Sequence, residues 1–318
     1  MAVALTVILP TRNPHRGRLA RTLAGLAEQT LDPVRWELIV VDNGSQPALA
    51  PSHLEPLLGM ARIVREARPG LTPARLSGIA EAKGDVLVFV DDDNVLAPGF
   101  LSNALALFSS LPSLAVAGGP VRPEFESPPP AWLPEFYGLL ALHDHGDSPV
   151  ITSGGVGQPW PNVAPVGAGL CIRRAHALAY ATSLDNNPKR MALDRRAGEL
   201  TSGGDNDLVF TALHAGGDIG YFPDLALTHL IPTNRLDAYY VGRLNQGIQR
   251  SWVQVLALHG QNPWPSIPRW SIPLRSARAW LRTQAWRSPA HRIRWRGLHG
   301  RFLGQADLAT IDHRAPAL

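Results

Sequence analysis

Cysteine and lysine are both rare in this sequence. Cys171 is the one cysteine among 318 residues, which excludes an internal disulfide framework and a cysteine-rich zinc site. The lack of disulfides favours a reducing compartment. Lys83 and Lys189 are the only lysines, so nearly all positive charge is carried by arginine. The formal net charge of +4 is modest, but it is spread unevenly along the chain.

Long apolar runs are absent as well. No stretch approaches the roughly 20 apolar residues that a transmembrane helix needs. Residues 1–10 lack a basic segment and are too short for a signal peptide. We therefore expect a cytoplasmic protein, or one that lies peripherally on the inner face of a membrane. The hydrophobic fraction of 45% predicts a globular protein with a substantial core.

Strand and helix patterns alternate through the first 117 residues. Strands are predicted for Val3–Leu9, Trp36–Val41, Ala61–Arg65, Val86–Val90 and Leu114–Ala117. The helices between them have inward faces at Leu19, Leu23, Leu26 and Ala27, then at Leu76, Ile79 and Ala80, then at Leu101, Ala104, Leu105, Phe108 and Leu111. We expect Pro73 to open the second helix and Gly84 to end it. Such alternation predicts βαβ units and a parallel sheet.

The alternation breaks between Gly118 and Pro165. A long irregular insertion in a compact domain is typical of a functional loop, and we expect a mobile loop over the site. The pattern resumes with a strand at Val166–Ile172, a helix at Asn206–Ala215, short strands at Ile219–Phe222 and Leu225–Thr228, and helical spacing beyond Pro232.

The segment Arg269–Arg301 holds nine arginines and four tryptophans but no acidic residue. Arg275, Arg278 and Arg282 fall on one helical stripe near Leu274, Trp280 and Leu281. This combination suits an anionic membrane surface. The alternative is an arginine-rich helical tail that packs on its own domain or on a second subunit.

Three consecutive carboxylates, Asp91, Asp92 and Asp93, follow the predicted strand Val86–Val90. Such charges repel one another and are not buried unpaired. A parallel sheet binds its ligands at the carboxyl ends of its strands, where the three could share a divalent cation. A solvated acidic turn is the other interpretation of the same residues.

The order of several short motifs resembles the inverting, bacterial-type family 2 glycosyltransferases of the GT-A fold. Each motif is weak alone, but six in this order are specific, and they span about Val3 to Gly247. The motifs are Val7–Asn13, Val40–Ser45, Pro69–Gly78, Asp91–Asp93, Gly167–Arg174 with Ser202–Asp207, and Tyr221–Pro232.

The resemblance implies an α/β fold: a Rossmann-like, mostly parallel sheet with helices on both faces and a helical C-terminal extension. We expect a GT-A domain at residues 1–232, divided into a nucleotide-binding half, 1–117, and an acceptor half, 118–232, with the mobile loop at 120–165. The basic helical extension is expected at residues 233–318.

The resemblance also implies transfer of a sugar from a nucleoside diphosphate donor, which we expect to be UDP-linked, to an acceptor hydroxyl in polysaccharide, glycolipid or glycoconjugate assembly. A divalent cation, Mn²⁺ or Mg²⁺, would neutralise the leaving diphosphate. The implied metal ligands are Asp93, Asp91 and His229, and the implied donor-binding residues are Pro10, Thr11, Arg12, Asp42, Arg75, Asp91 and Asp92.

Inverting transfer needs one general base, and the resemblance implies Asp205. The sequence departs from the family pattern at Gly204, where glutamate is usual, which makes Asp207 a possible substitute base. A structural helix N-terminus for this segment, and a structural histidine at position 229, are the alternative interpretations. At the level of the whole protein, the alternatives are a sugar-nucleotidyltransferase and a non-catalytic nucleotide-sugar-binding scaffold.

Overall fold

The structure, a computed structural model, describes residues 2–185, 187–194 and 200–308. Met1 and residues 309–318, the end of the predicted extension, lie outside the described residues. The strands are β1 (Leu5–Thr11), β2 (Trp36–Asp42), β3 (Ala61–Arg65), β4 (Val86–Phe89), β5 (Asn94–Leu96), β6 (Leu114–Gly118), β7 (Val121–Phe125), β8 (Val150–Thr152), β9 (Cys171–Arg173), β10 (Asp218–Tyr221) and β11 (Leu227–Ile231).

The helices surround the sheets and extend beyond them at the C-terminal side. They are α1 (Arg16–Ala27), α2 (Leu71–Glu81), α3 (Phe100–Ser110), α4 (Arg174–Ser183), α5 (Pro188–Met191), α6 (Gly204–His214), α7 (Ala238–Leu258), α8 (Ile272–Thr283) and α9 (Pro289–Asp307). Short 3₁₀ helices include Leu133–Leu140 and Thr233–Arg235.

The main sheet has eight strands in the order β3-β2-β1-β4-β9-β6-β10-β8. The pairs β1–β2, β2–β3, β1–β4 and β6–β10 are parallel. Strand β9 lies between β4 and β6 and runs antiparallel to both. The sheet is therefore mixed but mostly parallel, as the sequence predicted.

Strand β4 lies near the middle of this sheet and is buried along its whole length. Two apolar clusters cover the two faces of the sheet: one includes Val86 and Val88, the other Leu87 and Phe89. Each such side chain contributes roughly 1.5–3 kcal/mol when it is fully buried. The expected strand with both faces buried is confirmed, and the acidic triplet follows directly where it ends.

A second sheet, with the order β5-β11-β7, joins distant parts of the chain. Strand β5 begins right after Asp93 and pairs antiparallel with β11, so that His229 lies opposite Asn94. The Leu230 N–H also donates to the Asp93 carbonyl over 2.8 Å. This small sheet brings the end of the acidic triplet next to His229.

The predicted irregular insertion after Gly118 is wrong in part, because the segment contains β7, the 3₁₀ helix Leu133–Leu140 and β8. Strand β7 is stabilised by parallel pairing with β11, far away in sequence. Local patterns carry no information about a partner at that distance. Helix α4 was not predicted. Of the predicted strand Val166–Ile172, only Cys171 and Ile172 belong to a strand, β9, which continues to Arg173.

The prediction for the second helix needs two corrections. Helix α2 begins at Leu71, before Pro73. It ends at Glu81 with Ala82 as its C-cap, so Gly84 is not the residue that ends it. Gly84 instead allows a close approach to β1, since a Cβ there would lie 2.6 Å from the Thr6 nitrogen. Ala27 and Ala80, predicted to face inward, are exposed.

The C-terminal helices pack on the rest of the chain through α7 and α9, which lie against each other. Helix α9 contacts α7 through Gly300, where a Cβ would meet the backbone of Gln246, and through Gly297 beside Asn245. Across the described part of the chain, no helix combines the length and the apolarity that crossing a membrane requires.

Candidate active site

A cavity of about 500 Å³ lies at the carboxyl ends of β1 and β4. This volume is within the range of sites that hold small ligands. One wall is formed by α7, so the C-terminal extension takes part in the site. The lining includes Pro10, Thr11, Arg12, Asn43, Arg75, Asp91, Asp92, Asp93, Leu140, Gly167, Asp205, His229, Arg235, Tyr240, Leu244 and Ile248. All but one of the predicted site residues therefore share one cavity.

The floor of the cavity is the edge of the parallel sheet. The Thr11 hydroxyl, at the end of β1, donates to the Asp92 carboxylate, which follows β4. Burial raises the pKa of Asp92 to about 6; the hydrogen bond from Thr11 opposes this shift, and the charges of Asp93 and Asp91 add to it. The crowded carboxylates therefore favour positive charge beside them.

Arg235 supplies positive charge at this place. Its Nη1 lies 3.0 Å from Asp93 Oδ2 and 3.3 Å from His229 Nε2, so the guanidinium lies beside two of the three predicted metal ligands. Burial acts to lower the pKa of Arg235, but the charge of Asp93, with those of Asp91 and Asp92, outweighs it and raises the pKa. Arg235 is the counter-ion of the acidic triplet in this structure.

Asp93 and His229 have the chemistry of a partial site for a divalent cation. His229 Nε2 lies 3.6 Å from Asp93 Oδ2, and His229 Nδ1 lies 3.0 Å from the Leu140 carbonyl. A carbonyl only accepts, so Nδ1 donates and Nε2 presents its lone pair, as in a metal-ligating histidine. Among the described residues no three acidic, histidine or cysteine side chains are grouped to hold a metal. The pair fits a cation whose other ligands come from substrate oxygens.

A second charged centre in the cavity lining consists of Arg75 on α2 and Asp205 in the first turn of α6. Their side chains form an ion pair, and the Arg75 guanidinium lies 5.2 Å from the centroid of the Phe89 ring. Gly167 packs against the pair, and a Cβ there would overlap the Asp205 carboxylate. The fold thus holds this carboxylate at the cavity wall with an arginine beside it.

Asp42 is the predicted site residue that does not line the cavity, as far as the described residues show. Its carboxylate is buried and accepts the N–H groups of Ser45 and Leu49, each over 2.9 Å. The neighbouring Asn43 does line the cavity, and its side-chain oxygen accepts the Gly70 N–H over 2.8 Å. Contact between Asp42 and a nucleotide base stays a prediction.

Asp207 is unsuited to replace Asp205 as a base, which corrects the sequence-based alternative. Its side chain is fully buried, and its carboxylate accepts from Arg190 Nε at 2.9 Å and pairs with His259 Nε2 at 2.8 Å. Both partners lie away from the cavity lining in the described structure. Asp207 therefore stabilises the packing of α6 against its neighbours.

The sequence analysis missed Arg235, Asn43 and Tyr240 as cavity residues. Arg235 follows His229 closely and precedes the N-cap of α7, Asp237, yet no local pattern distinguishes it from the many other arginines. Asn43 belongs to the motif Val40–Ser45, in which Asp42 is the predicted donor-binding residue. The wall formed by α7 depends on tertiary packing.

Comparison with known proteins now adds to this geometry. Residues 6–157 match the family model described as Glycosyl transferase family 2. This segment, just under half of the chain, is similar to that family. The resemblance noted in the sequence is thereby confirmed, and the matched segment includes the acidic triplet and the Thr11 strand.

Two curated relatives illustrate the similarity. The chain is 25% identical over 272 residues to the succinoglycan biosynthesis protein ExoM of Rhizobium meliloti (strain 1021), covering 83% of this chain and 79% of ExoM. It is 31% identical over 101 residues to the glycosyltransferase YwdF of Bacillus subtilis (strain 168), covering 32% of this chain. That match spans 36% of the length of YwdF.

Solved structures of residues 1–349 of S. aureus TarS have a similar fold. One structure superposes with a TM-score of 0.50 at 14% identity and covers 98% of this chain and 93% of that one. A second, in complex with UDP, superposes with a TM-score of 0.51 at 15% identity and covers 99% and 94%. At such identities the likeness shows the fold, and it confirms the predicted GT-A-like α/β architecture with C-terminal helices.

Proposed function

We propose that this protein transfers a sugar, with inversion, from a nucleoside diphosphate sugar to an acceptor hydroxyl. One observation carries the proposal: a single cavity is lined both by the acidic edge of the sheet and by a paired carboxylate, Asp205. The family match supports glycosyl transfer. The UDP bound to TarS supports a UDP-linked donor, and the similarity to ExoM, a succinoglycan biosynthesis protein, supports an acceptor in polysaccharide assembly.

The donor diphosphate would lie over the sheet edge. Asp93 and His229, with Asp91 nearby, would hold a Mn²⁺ or Mg²⁺ ion, which supplies positive charge to the leaving diphosphate. Arg235 is a cation that lies beside the same two side chains, so it would contact the diphosphate or move aside when a metal binds. Pro10, Thr11 and Arg12 line the same end of the cavity and would contact the nucleotide.

The acceptor would lie near Asp205. As the acceptor oxygen bonds to the anomeric carbon, the Asp205 carboxylate takes the hydroxyl proton, and the bond from that carbon to the diphosphate oxygen breaks. The electron pair of this bond leaves with the diphosphate. The adjacent Arg75 favours the ionised carboxylate that a base requires. Arg75 would thus act on the base, rather than on the nucleotide as the resemblance implied.

The test is a screen of nucleotides and nucleotide-sugars for thermal stabilisation in Mn²⁺, in Mg²⁺ and in chelator. A donor at 100 times its Kd should stabilise the protein by about 2.7 kcal/mol. Stabilised donors are then incubated with candidate acceptors, and release of nucleoside diphosphate is measured. Binding without transfer would favour the scaffold, and pyrophosphate formed from a nucleoside triphosphate would favour a nucleotidyltransferase. If no nucleoside diphosphate binds in any metal, the proposal fails.

Helix α8 would bring the protein to an anionic membrane surface. Trp270, Leu274 and Leu281 are 80%, 75% and 66% exposed, while Ser276 and Ala279 face the protein. Trp280, which the sequence pattern grouped with the arginine stripe of α8, instead packs on Trp295 with ring centroids 4.8 Å apart. The outer face therefore combines apolar side chains with arginines in a segment without acids, which complements anionic lipid.

Co-sedimentation with vesicles of phosphatidylcholine alone, or mixed with phosphatidylserine, tests this surface. Wild-type protein should bind the mixed vesicles, and Leu274→Ser with Leu281→Ser should abolish that binding. Val34→Ser, at another exposed apolar residue, is the matched control and should bind normally. Unchanged vesicle binding by the double variant contradicts the proposal. If the double variant instead loses a dimer that the wild type forms, this face binds a second copy of the chain, and the proposal is also contradicted.

A further inference from the structure

Asp194 and Gly204 share one space beside the candidate base. Gly204 is the first residue of α6 and directly precedes Asp205. A Cβ at position 204 would overlap Oδ2 of Asp194 and lie 2.9 Å from the Thr72 hydroxyl. A side chain at position 204 and the Asp194 carboxylate therefore exclude each other. Helix α6 carries no carboxylate at its first position, Gly204. The carboxylate at this place belongs to Asp194, in another segment of the chain.

The surroundings of Asp194 are unusual for an ionisable group. The residue is only 3% exposed; its Oδ2 accepts from the Thr72 hydroxyl at 3.2 Å and lies 3.9 Å from Arg75 Nη1. Its Oδ1 has no hydrogen-bond partner among the described residues, and neither does Arg75 Nε. A buried carboxylate is costly without compensating charge, and among the described residues Arg75 is the cation recorded beside it.

The backbone at Asp194 is also fixed. Its carbonyl accepts the Thr201 hydroxyl at 3.0 Å, and the preceding carbonyl, of Leu193, accepts the N–H of Gly203 at 3.1 Å. Both contacts join Asp194 to the segment that leads into α6. The position of Asp194 is thus coupled to the start of the helix that carries Asp205.

We propose that Asp194 is a positioning residue for the general base. Its carboxylate attracts Nη1 of Arg75, the same nitrogen that pairs with Asp205, so that the arginine is held in one place and orients the Asp205 carboxylate toward the cavity. The inference rests on the proposed function of Asp205. It adds that position 204 is glycine in this chain because Asp194 fills the space.

Exchanging the carboxylate between the two positions tests this inference. In Asp194→Ala, kcat should fall by roughly 10- to 100-fold because the base is misplaced, while KM for the donor changes little. Gly204→Asp alone should also be impaired, since two carboxylates then compete for one space. In the double variant a single carboxylate, now at position 204, occupies the shared space. Both kcat and Tm should therefore recover most of the combined loss, a clear non-additivity.

Asp207→Asn is the control, because Asp207 lies in the same helical turn but pairs with Arg190 and His259. It should lower Tm, and adding Gly204→Asp should not restore it. Additive losses in the Asp194 and Gly204 double variant would overturn the inference. If the wild type transfers no sugar to any acceptor, the proposed function fails, while the Tm values of the four proteins still decide whether the two positions share one carboxylate.

Discussion

Two arginines pair with carboxylates in the lining of the cavity, and they differ in how firmly the fold holds them. The Arg75 side chain is 7% exposed, lies against Phe89 and is attached to helix α2. The Arg235 side chain is 25% exposed and belongs to a 3₁₀ turn that precedes α7. Both neutralise carboxylates. On the proposed function, we expect Arg75 to be a fixed cation that orients the base, and Arg235 to be an exchangeable cation in the place of a metal ion.

Replacing each arginine by leucine should give the largest contrast, in stability. Arg75→Leu leaves Asp205 and Asp194 without their cation in a buried setting, so the free energy of unfolding should fall by roughly 3–5 kcal/mol. Arg235→Leu should lower it less, by about 1–2 kcal/mol, because the Arg235 side chain is 25% exposed, against 7% for Arg75. Urea denaturation measures both values. Equal losses would contradict the distinction between a fixed and an exchangeable arginine.

The second contrast is in metal affinity. Arg235→Leu removes the positive charge that competes for Asp93 and His229, so Mn²⁺ should bind the nucleotide-free protein about tenfold more tightly, or about 1.4 kcal/mol. Calorimetry on chelator-treated protein measures this, with Arg278→Leu on α8 as the control for loss of one arginine. An affinity equal to that of the wild type would show that Arg235 does not occupy the cation position.

A smaller effect on stability is expected at Glu66, whose carbonyl accepts a hydrogen bond from the side chain of Asn43. Hydrogen bonds from Arg68, opposed by burial and reinforced by Ser77, lower the pKa of Glu66 to about 2. A lowered pKa means that the ionised form stabilises the fold above the unfolded-state value of about 4.3, and that this stability is lost as the pH falls toward 2.

Glu66→Gln should therefore reduce stability at pH 7 by about 1 kcal/mol, a value that allows for the exposure of Arg68. The difference in Tm between variant and wild type should shrink as the pH falls from about 4.5 to 2. Thermal unfolding across this range measures it. A difference that is the same at pH 3 and pH 7 would contradict an ionised Glu66 as the cause.

The sequence predicted the sheet edge of this cavity better than the position of Asp205. Strands β1, β2 and β4 and the acidic triplet follow from local periodicity, since a buried parallel strand is a short apolar run and its end is marked by polar residues. Asp205 emerged only through the resemblance, because a helix N-terminus with acids is common.

The remaining features depend on contacts between distant segments. His229 reaches Asp93 through the pairing of β5 with β11, and β5, with only three residues, is too short to show a periodicity. Asp194 reaches Arg75 because its segment packs at the start of α6. Neither pairing leaves a trace in local sequence, so neither could be predicted from a single chain.

The central claim is that Asp205 takes the acceptor proton in a cavity that binds the donor elsewhere. The most direct measurement compares Asp205→Asn with the wild type, using calorimetry for donor binding and release of nucleoside diphosphate for transfer. We predict that transfer falls by about 100-fold or more, while the donor Kd stays within about threefold. Transfer at the wild-type rate by Asp205→Asn would contradict the account.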